Sequence, residues 1–372
     1  MNIVYAITRA DAVGGATIHV RDLAGAMIAR GHRATVLVGG QGSVTELLAA
    51  AGIPFRSVPS LRRAIHPVAD LRALAETTAL LRELAPDLVS AHTAKAGWVA
   101  RAASARLGLP AIYTPHGWSL GPRVSPAAGA FFATIERVAS RWARVIVCVC
   151  ESEKELALSQ SVAPASKLAV VYNGVCDVGP ELRAHPEAGP VRLCSVARFQ
   201  APKDHATLLR ALASLRSRDW RLDLVGDGPL EGEMRVLAAA LGIAGQVNFL
   251  GYQREPACAL ARAHVFVLSS RSEAFPRSVL EAMRAGLPVV ASDVGGVGEA
   301  VAAGVHGLLV PAQDPVALAA AAGKLIADPS LRQRLGAAAR TAYESRFRAE
   351  RMVEDTLAIY NSVLGVNTGS GV

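Results

Sequence analysis

Short apolar runs alternate with longer segments in which apolar residues recur at helical spacing, and this rhythm extends along nearly all 372 residues. The short runs predict buried strands and the longer segments predict amphipathic helices. Because the strands read as continuously apolar, we expect parallel sheets covered by helices on both faces. In the first half, strands are predicted at 2–8, 33–38, 87–91, 110–114, 144–149 and 168–171, and helices at 17–29, 68–84, 96–107, 127–142 and 151–159.

A segment rich in Gly and Pro, 173–190, interrupts this rhythm and is interpreted as a linker between two domains. The rhythm then restarts, with strands predicted at 191–196, 221–225, 246–249, 264–268 and 288–291 and helices between them and on to the end. The sequence therefore predicts an α/β protein of two tandem, doubly wound, Rossmann-like domains, 1–175 and 190–345. A ligand is expected in a cleft between them, at the carboxyl ends of the strands. The Gly/Ser-rich tail, 365–372, is expected to be frayed.

Composition excludes several classes of protein. With 51% hydrophobic and 19% charged residues, the chain is too apolar to be disordered. Its longest uncharged stretches, such as 107–122, stop short of the roughly 20 apolar residues that span a bilayer. The opening MNIVYAIT predicts a strand rather than a signal peptide. Five cysteines are too sparse for a disulfide framework, so a reducing, cytoplasmic location is expected, with Cys148 and Cys150 as buried thiols.

The net charge of +8 is unevenly distributed, because residues 1–180 carry 18 Lys and Arg against 12 Asp and Glu. This excess predicts contact with phosphate groups or with an anionic membrane at its inner, cytoplasmic face, and both alternatives stay open. The basic residues are scattered and aromatic residues are only 5% of the chain. We therefore expect no nucleic-acid partner.

Two glycine-rich turns follow predicted strands. Gly14 and Gly15 precede the first helix, where backbone N–H groups can face an anion. Gly226 and Gly228 flank Asp227 in a similar turn. A purely structural turn explains either pair equally well. Neither has the G-x-G-x-x-G spacing of a dinucleotide-binding fingerprint, which argues against a simple dehydrogenase.

Charged residues near the predicted strand ends of the second domain form a more specific pattern. Arg198 and Lys203 follow one strand, where two cations could hold a diphosphate. Glu273 lies in the loop after a later strand, and Glu281 lies further on, inside the helix that Pro276 opens. A carboxylate can accept two hydrogen bonds from a ribose diol, and free N–H groups at a helix N-terminus can bind phosphate. The alternative is a helix with one capping and one exposed glutamate.

Together these residues resemble the retaining glycosyltransferases of family 4, which have the GT-B fold of two Rossmann-like domains. The resemblance covers nearly the whole chain, and its most specific element is the E-x7-E pair of Glu273 and Glu281. Its other parts are Gly14-Gly15, HTAKAG at 92–97, PHG at 115–117, YNG at 172–174, VARFQAPKD at 196–204, VGDGP at 225–229 and FLG at 249–251. The HTAKAG and PHG runs resemble the branch associated with bacterial surface polysaccharides and glycolipids.

The resemblance implies roles for individual residues of the second domain. Arg198 and Lys203 match the family's cations on the donor diphosphate, and Glu281 matches the carboxylate that binds the nucleotide ribose. Glu273 matches the acidic residue beside the transferred sugar, and Phe275 lies in the loop whose backbone touches that sugar. The implied donor-binding set also includes Gly228, Arg277 and Ser278. The chain departs from the family pattern at Ala274, where Gly is common, and at Arg277, where a smaller polar residue is frequent.

The first domain supplies the remaining residues. His116 matches the histidine that faces the donor sugar, with a structural turn histidine as the alternative, and Gly15 matches the loop near the phosphates. His92 and Lys95 are interpreted as acceptor-side residues, with helix capping as the alternative. In this fold, the run 346–364 is expected to form a helix that packs back on the first domain.

The resemblance implies retaining transfer of a sugar, from a donor that we expect to be UDP-linked, to a lipid-linked or small glycosidic acceptor. No D-x-D motif follows a strand, so we expect no metal and no cofactor, and Arg198, Lys203 and helix N-termini would neutralise the leaving group instead. Our hypothesis is that His116 orients the sugar and Glu273 supports charge at the reacting centre. The alternatives are a nucleotide-sugar epimerase of the same architecture and a non-catalytic nucleotide-sugar-binding protein.

Overall fold

The computed structural model describes residues 1–120, 124–186 and 190–366. The chain divides into two compact units. The first comprises residues 1–173 together with the chain from residue 350 onward, and the second comprises residues 174–349. The sequence predicted domains at 1–175 and 190–345, with 346–364 returning to the first.

The first unit is built on a seven-stranded sheet in which every adjacent pair is parallel, in the order β3-β2-β1-β4-β5-β6-β7. Its strands are β1 (Asn2–Ile7), β2 (Arg33–Val38), β3 (Phe55–Ser57), β4 (Leu88–His92), β5 (Ala111–Thr114), β6 (Val145–Cys148) and β7 (Leu168–Val170). Its helices are α1 (Gly15–Ala29), α2 (Ser43–Ala50), α3 (Pro67–Leu84), α4 (Ala94–Leu107), α5 (Pro126–Ala139) and α6 (Glu151–Ser159).

The second unit contains a six-stranded parallel sheet in the order β10-β9-β8-β11-β12-β13. Its strands are β8 (Val191–Val196), β9 (Trp220–Val225), β10 (Val247–Phe249), β11 (Val265–Leu268), β12 (Val289–Ser292) and β13 (Gly307–Val310). Its helices are α7 (His205–Ala213), α8 (Glu231–Ala240), α9 (Ala257–Ala261), α10 (Arg277–Ala285), α11 (Val297–Ala300), α12 (Pro315–Ala327) and α13 (Pro329–Arg346). The predicted α/β class and two doubly wound parallel sheets are confirmed.

The central strands are buried along their whole length, because helices cover both faces of each sheet. All six residues of β1 are buried, as are all four of β11. This is why these strands read as continuous apolar runs instead of alternating ones. In each sheet the strand order reverses beside the first strand of the unit, β1 or β8. Loops that diverge from such a reversal leave room for a ligand at the carboxyl ends of the strands.

The final helix, α14 (Ala349–Leu364), contributes to the core of the first unit. Met352, Val353 and Tyr360 are buried in one apolar cluster with β1, α1 and β2 residues. The Tyr360 hydroxyl also donates a hydrogen bond to Ser90 Oγ on β4, at 2.8 Å. The helix begins at Ala349, three residues later than the predicted 346.

Three short elements escaped the sequence analysis, namely β3, α2 and β13. In addition, the described part of the predicted linker is held by the second unit. Tyr343 donates a hydrogen bond to the Val175 carbonyl oxygen at 3.0 Å, and Arg340 forms an ion pair with Asp177 at 2.6 Å. The Gly and Pro residues of this segment therefore mark an irregular backbone that is nevertheless held by side-chain contacts. The frayed tail predicted for 365–372 falls mainly on 367–372, outside the described residues. None of the described helices is both long and apolar enough to cross a bilayer.

Candidate functional site

In the second unit, the predicted donor residues lie in loops that leave the carboxyl ends of neighbouring strands. Arg198 and Lys203 follow β8, Gly226 and Gly228 follow β9, and Glu273 follows β11. Strands β9, β8 and β11 are adjacent in the sheet and all parallel, so these loops emerge at the same edge. We call residues 269–276, between β11 and α10, the donor loop.

Lys203 and Glu273 form the central ion pair of this edge. Lys203 Nζ donates to Glu273 Oε1 at 2.6 Å, and the Ser270 hydroxyl donates to the same oxygen at 2.6 Å. The two charged side chains are 20% and 9% exposed, so the pair is largely shielded from water. The structure thus joins a residue predicted to bind diphosphate to one predicted to lie beside the transferred sugar.

The turn that carries Lys203 is anchored by the donor loop. The Ser269 hydroxyl donates to the Asp204 carbonyl oxygen at 2.9 Å, and Arg271 forms an ion pair with the Asp204 carboxylate at 3.0 Å. Asp204 has a left-handed backbone with φ of 48°, a conformation that costs a non-glycine residue about 1 kcal/mol or more unless its surroundings hold it. The arginine and hydroxyl contacts supply that hold, and they fix the backbone of the turn from which the Lys203 side chain extends.

Two glycines allow these loops to approach one another closely. A Cβ atom on Gly226 would lie 2.1 Å from the Ala197 carbonyl oxygen, and one on Gly228 would lie 2.4 Å from that of Phe199. Both residues also have φ near +150°, so backbone conformation and lack of space each require glycine at these positions. Gly228 therefore has a packing role that its donor-binding prediction did not include. Arg198, in the loop after β8, has its Nε atom 3.4 Å from Asp227 Oδ1, which lies between these two glycines.

The helix α10 begins directly after the donor loop, at Arg277. Ser278 and Glu281 lie in its first five residues and are both half-buried. The ring of Phe275 is 3% exposed, with its centroid 5.6 Å from that of Phe347, so the side chain packs inside the second unit. Arg277 directs its Nη1 atom to the Gly174 carbonyl oxygen at 2.8 Å. That guanidinium group is therefore held by the chain's own backbone, and its predicted donor contact stays a prediction.

In the first unit, His116 lies in the loop after β5 and is half-buried. Its backbone is left-handed, with φ of 55°, which turns its side chain toward His92 at the end of β4. His92 Nδ1 and His116 Nε2 are 2.9 Å apart, within hydrogen-bond distance. His92 is 1% exposed, and its burial, together with the neighbouring His19, lowers its pKa well below the usual value. His92 therefore contacts His116 from inside the unit, and its predicted acceptor-side role stays a prediction.

Lys95, the other predicted acceptor-side residue, forms an ion pair with Asp70 at 2.6 Å, and both side chains are mostly buried. Helix capping, the alternative for these two positions, is carried by other residues. Thr93 is the N-cap residue of α4, and the Thr8 hydroxyl accepts a hydrogen bond from the Ala96 amide at 3.0 Å. Gly15, which begins α1, is exposed, so the N–H groups of that first turn can reach a ligand.

His19, which the sequence analysis missed, completes a group of three imidazoles. Its ring centroid is 4.6 Å from that of His116, and its Nδ1 atom is 3.1 Å from Asn173 Oδ1. One ring nitrogen of each of His19, His92 and His116 lies within 4.8 Å of the others, close enough for a metal ion to bridge them. The prediction that no metal takes part stays untested. A histidine one turn inside the helix that follows Gly14-Gly15 was the available signal for His19.

The fold is that of known GT-B enzymes. The chain superposes on the crystal structure of Anabaena Alr3699/HepE in complex with UDP and glucose with a TM-score of 0.84, over 97% of this chain and 100% of that one, at 24% identity. It superposes on the sucrose-phosphate synthase of Thermosynechococcus elongatus with a TM-score of 0.83, over 99% and 100% of the two chains, at 22% identity.

Sequence comparison gives the family. Residues 14–174 match the family described as glycosyl transferase 4-like domain, and residues 182–342 match glycosyl transferases group 1. The chain is 31% identical over 347 residues to the D-inositol 3-phosphate glycosyltransferase of Acidothermus cellulolyticus, covering 84% of this chain and 75% of that one. A Salinispora tropica enzyme of the same name is 33% identical over 312 residues, and this match spans 75% of the present chain and 64% of the relative's length. The chain belongs to the family-4 type of GT-B glycosyltransferases, as the resemblance implied.

Proposed function

We propose that the protein is a retaining glycosyltransferase that moves a sugar from a UDP-linked donor to a lipid-linked or small glycosidic acceptor, without a metal ion. The observation that carries the proposal is the ion pair of Lys203 and Glu273 at the strand edge of the second unit. It places a cation suited to phosphate next to a carboxylate suited to the anomeric region of a sugar. The UDP and glucose bound by the structurally similar Anabaena protein support the choice of donor.

On the donor side, Arg198 and Lys203 take up the negative charge that develops on the departing diphosphate. Arg198 does so as a forked donor and Lys203 as a point charge. The N-terminus of α10 adds the positive end of the helix dipole, which favours an anion at that end of a helix. Glu281, on the same helix, accepts hydrogen bonds from the ribose diol. Glu281 and the N-terminal turn can therefore recognise ribose and phosphate together.

In the sugar-transfer step, Glu273 supports the positive charge that builds at the anomeric carbon, and His116 orients the sugar through a hydrogen bond. The bond from the anomeric carbon to the phosphate oxygen breaks, and a bond to the acceptor hydroxyl oxygen forms on the same face. The departing phosphate oxygen accepts the acceptor's proton. Transfer is favoured over epimerisation because the relatives described above are named as glycosyltransferases.

The first experiment is calorimetric titration of the purified protein with UDP, GDP and ADP in EDTA. We expect UDP to bind most tightly and Glu281→Ala to weaken that binding, with Glu233→Ala, an exposed position on α8, as the matched control. If no nucleotide binds, or if both variants bind like the wild type, the proposed donor site is wrong. A second assay measures UDP release from UDP-sugars with and without an acceptor glycoside or glycolipid. Release that requires the acceptor indicates transfer and argues against epimerisation.

The acceptor class, a cytoplasmic location and contact with an anionic membrane all remain part of this proposal. Flotation with anionic vesicles at low salt tests the membrane contact directly. We expect binding that weakens as salt is added, because exposed charges are screened within about 10 Å at 0.1 M ionic strength.

A further inference from the structure

Three histidine side chains from separate elements converge in the first unit. His19 lies on α1, His92 ends β4, and His116 lies in the loop after β5. The ring centroid of His19 is 4.6 Å from that of His116 and 5.6 Å from that of His92. His19 and His92 are 4% and 1% exposed, and His116 is half-buried. The proposed function gives a role to His116 alone, so it does not account for two buried imidazoles beside it.

The spacing of the ring nitrogens suits a tetrahedral metal ion. One ring nitrogen of each histidine lies within 4.8 Å of the others, and His92 Nδ1 lies 2.9 Å from His116 Nε2. Two nitrogen ligands of Zn²⁺, each about 2.0–2.1 Å from the metal, are about 3.3 Å apart. Changes of about 1.5 Å or less in the nitrogen–nitrogen distances would therefore bring the rings to this spacing. A cavity of about 10 Å³ borders both His19 and His92, so their rings are not tightly packed on that side.

The two buried histidines also have the supporting contacts that metal-bound histidines use. A metal-bound imidazole usually donates its other N–H group to an oxygen atom, which fixes the orientation of the ring. Ser90 Oγ lies 3.0 Å from His92 Nε2, and Asn173 Oδ1 lies 3.1 Å from His19 Nδ1. His92 can thus bind a metal ion through Nδ1 and His19 through Nε2 while each keeps its oxygen partner. Imidazole nitrogen is a preferred ligand of Zn²⁺, and three protein ligands leave a fourth position for water.

We propose that His19, His92 and His116 bind Zn²⁺ through one ring nitrogen each, and that the bound ion inhibits sugar transfer. Zn²⁺ replaces the hydrogen bond between His92 and His116 and holds the His116 ring at the metal. That ring then no longer orients the donor sugar. The proposed transfer itself needs no metal, so the ion acts as an inhibitor that a chelator removes. The inhibition rests on the proposed function, whereas the site itself rests on the first unit alone.

The site is tested by titrating the purified wild-type protein, cleared of metal with EDTA and then of EDTA, with Zn²⁺ in a calorimeter and with Co²⁺ in a visible spectrophotometer. We expect one ion per chain and the intense visible bands of four-coordinate Co²⁺, without the near-ultraviolet bands that binding by Cys176 or Cys258 would add. His116→Asn, in which asparagine tolerates the left-handed backbone, should weaken Zn²⁺ binding by more than about 100-fold. Ser90→Ala, which removes only a supporting oxygen, should weaken it by about 10–100-fold. His306→Gln, in the second unit, is the matched control and should bind Zn²⁺ as the wild type does.

A wild-type protein without the four-coordinate Co²⁺ spectrum would overturn the proposal whether or not any variant folds, and so would wild-type Zn²⁺ affinity in His116→Asn. For the inhibition, one equivalent of Zn²⁺ should lower the rate of acceptor-dependent UDP release about tenfold or more, the worth of one hydrogen bond, and EDTA should restore it. The affinity for UDP alone should not change, because UDP lacks the sugar.

Full turnover by the Zn²⁺-loaded protein would refute the inhibition. A protein that binds Zn²⁺ as expected but neither binds a nucleotide nor releases UDP would instead refute the proposed function, and the metal site would still stand.

Discussion

Replacing Lys203 by Met separates the structural role of its ammonium group from its binding role. The variant keeps the aliphatic stem and leaves the Glu273 carboxylate with the Ser270 hydroxyl but without its cation. Breaking a buried ion pair costs about 3–5 kcal/mol, and a surface pair is worth about 0–1 kcal/mol. With side chains 20% and 9% exposed, this pair lies between those limits. We expect the free energy of unfolding to fall by about 2 kcal/mol.

Under the proposed function the same variant also loses a charge-assisted hydrogen bond to the diphosphate, worth about 1.5–3 kcal/mol, so its affinity for UDP is expected to fall about 10–150-fold. The double variant Lys203→Met with Glu273→Gln removes both charges. It should regain stability but not affinity, because an amide supplies no cation. Glu273→Gln alone should bind UDP within about threefold of wild type. Denaturant titration and calorimetry measure the two effects, and wild-type UDP affinity in Lys203→Met would refute the binding role.

Three further outcomes are expected. Gly295→Ala should lower the free energy of unfolding by about 2 kcal/mol or more, because the new Cβ would lie 2.0 Å from a carbonyl oxygen of the donor loop and the residue has a φ of 54°. Gly232→Ala, at an exposed position of α8 with open space around it, should raise the free energy of unfolding slightly. Burial lowers the pKa of His205 to about 4, so between pH 6.5 and 4 the unfolded state binds a proton that the folded state does not. The free energy of unfolding should therefore decrease by up to about 3 kcal/mol as the pH is lowered through this range. Thermal unfolding of His205→Phe should show a smaller decrease. Iodoacetamide should modify the native protein at the exposed Cys176 and Cys258 only, as mass spectrometry can check, and labelling of a buried cysteine without unfolding would contradict the packing.

The sheets were predictable from sequence because buried parallel strands leave an unmistakable apolar run. Short edge strands do not. β3 has one apolar residue in three, and β13 opens with Gly307, which reads as a break. The structure explains that glycine, since a Cβ atom there would lie 2.0 Å from the Val289 carbonyl oxygen on the neighbouring strand. The close approach of β12 and β13 therefore requires glycine at this position, although glycine in a sequence is usually interpreted as a sign of a turn.

The sequence could predict that Lys203 and Glu273 reach one edge of the sheet, but not that they pair with each other. Parallel strands end at one edge of the sheet, and this rule brings Lys203 and Glu273 to the same region. It does not indicate that these residues, 70 positions apart, form a hydrogen bond of 2.6 Å. The contact of Tyr360 with Ser90 spans 270 positions and has no local signature. The burial of His92 depends on side-chain packing that periodicity cannot resolve.

The contribution of α14 to the first unit also bears on how the protein is made. Met352, Val353 and Tyr360 complete the core around β1, so the strand can finish packing only after α14, much later in the chain, has been synthesised. Throughout translation of the second unit, the nascent first unit has an uncovered apolar face, of the kind that chaperones bind. Residues 1–173 expressed by themselves would keep that face exposed. Fusing a copy of 349–366 to them should cover it.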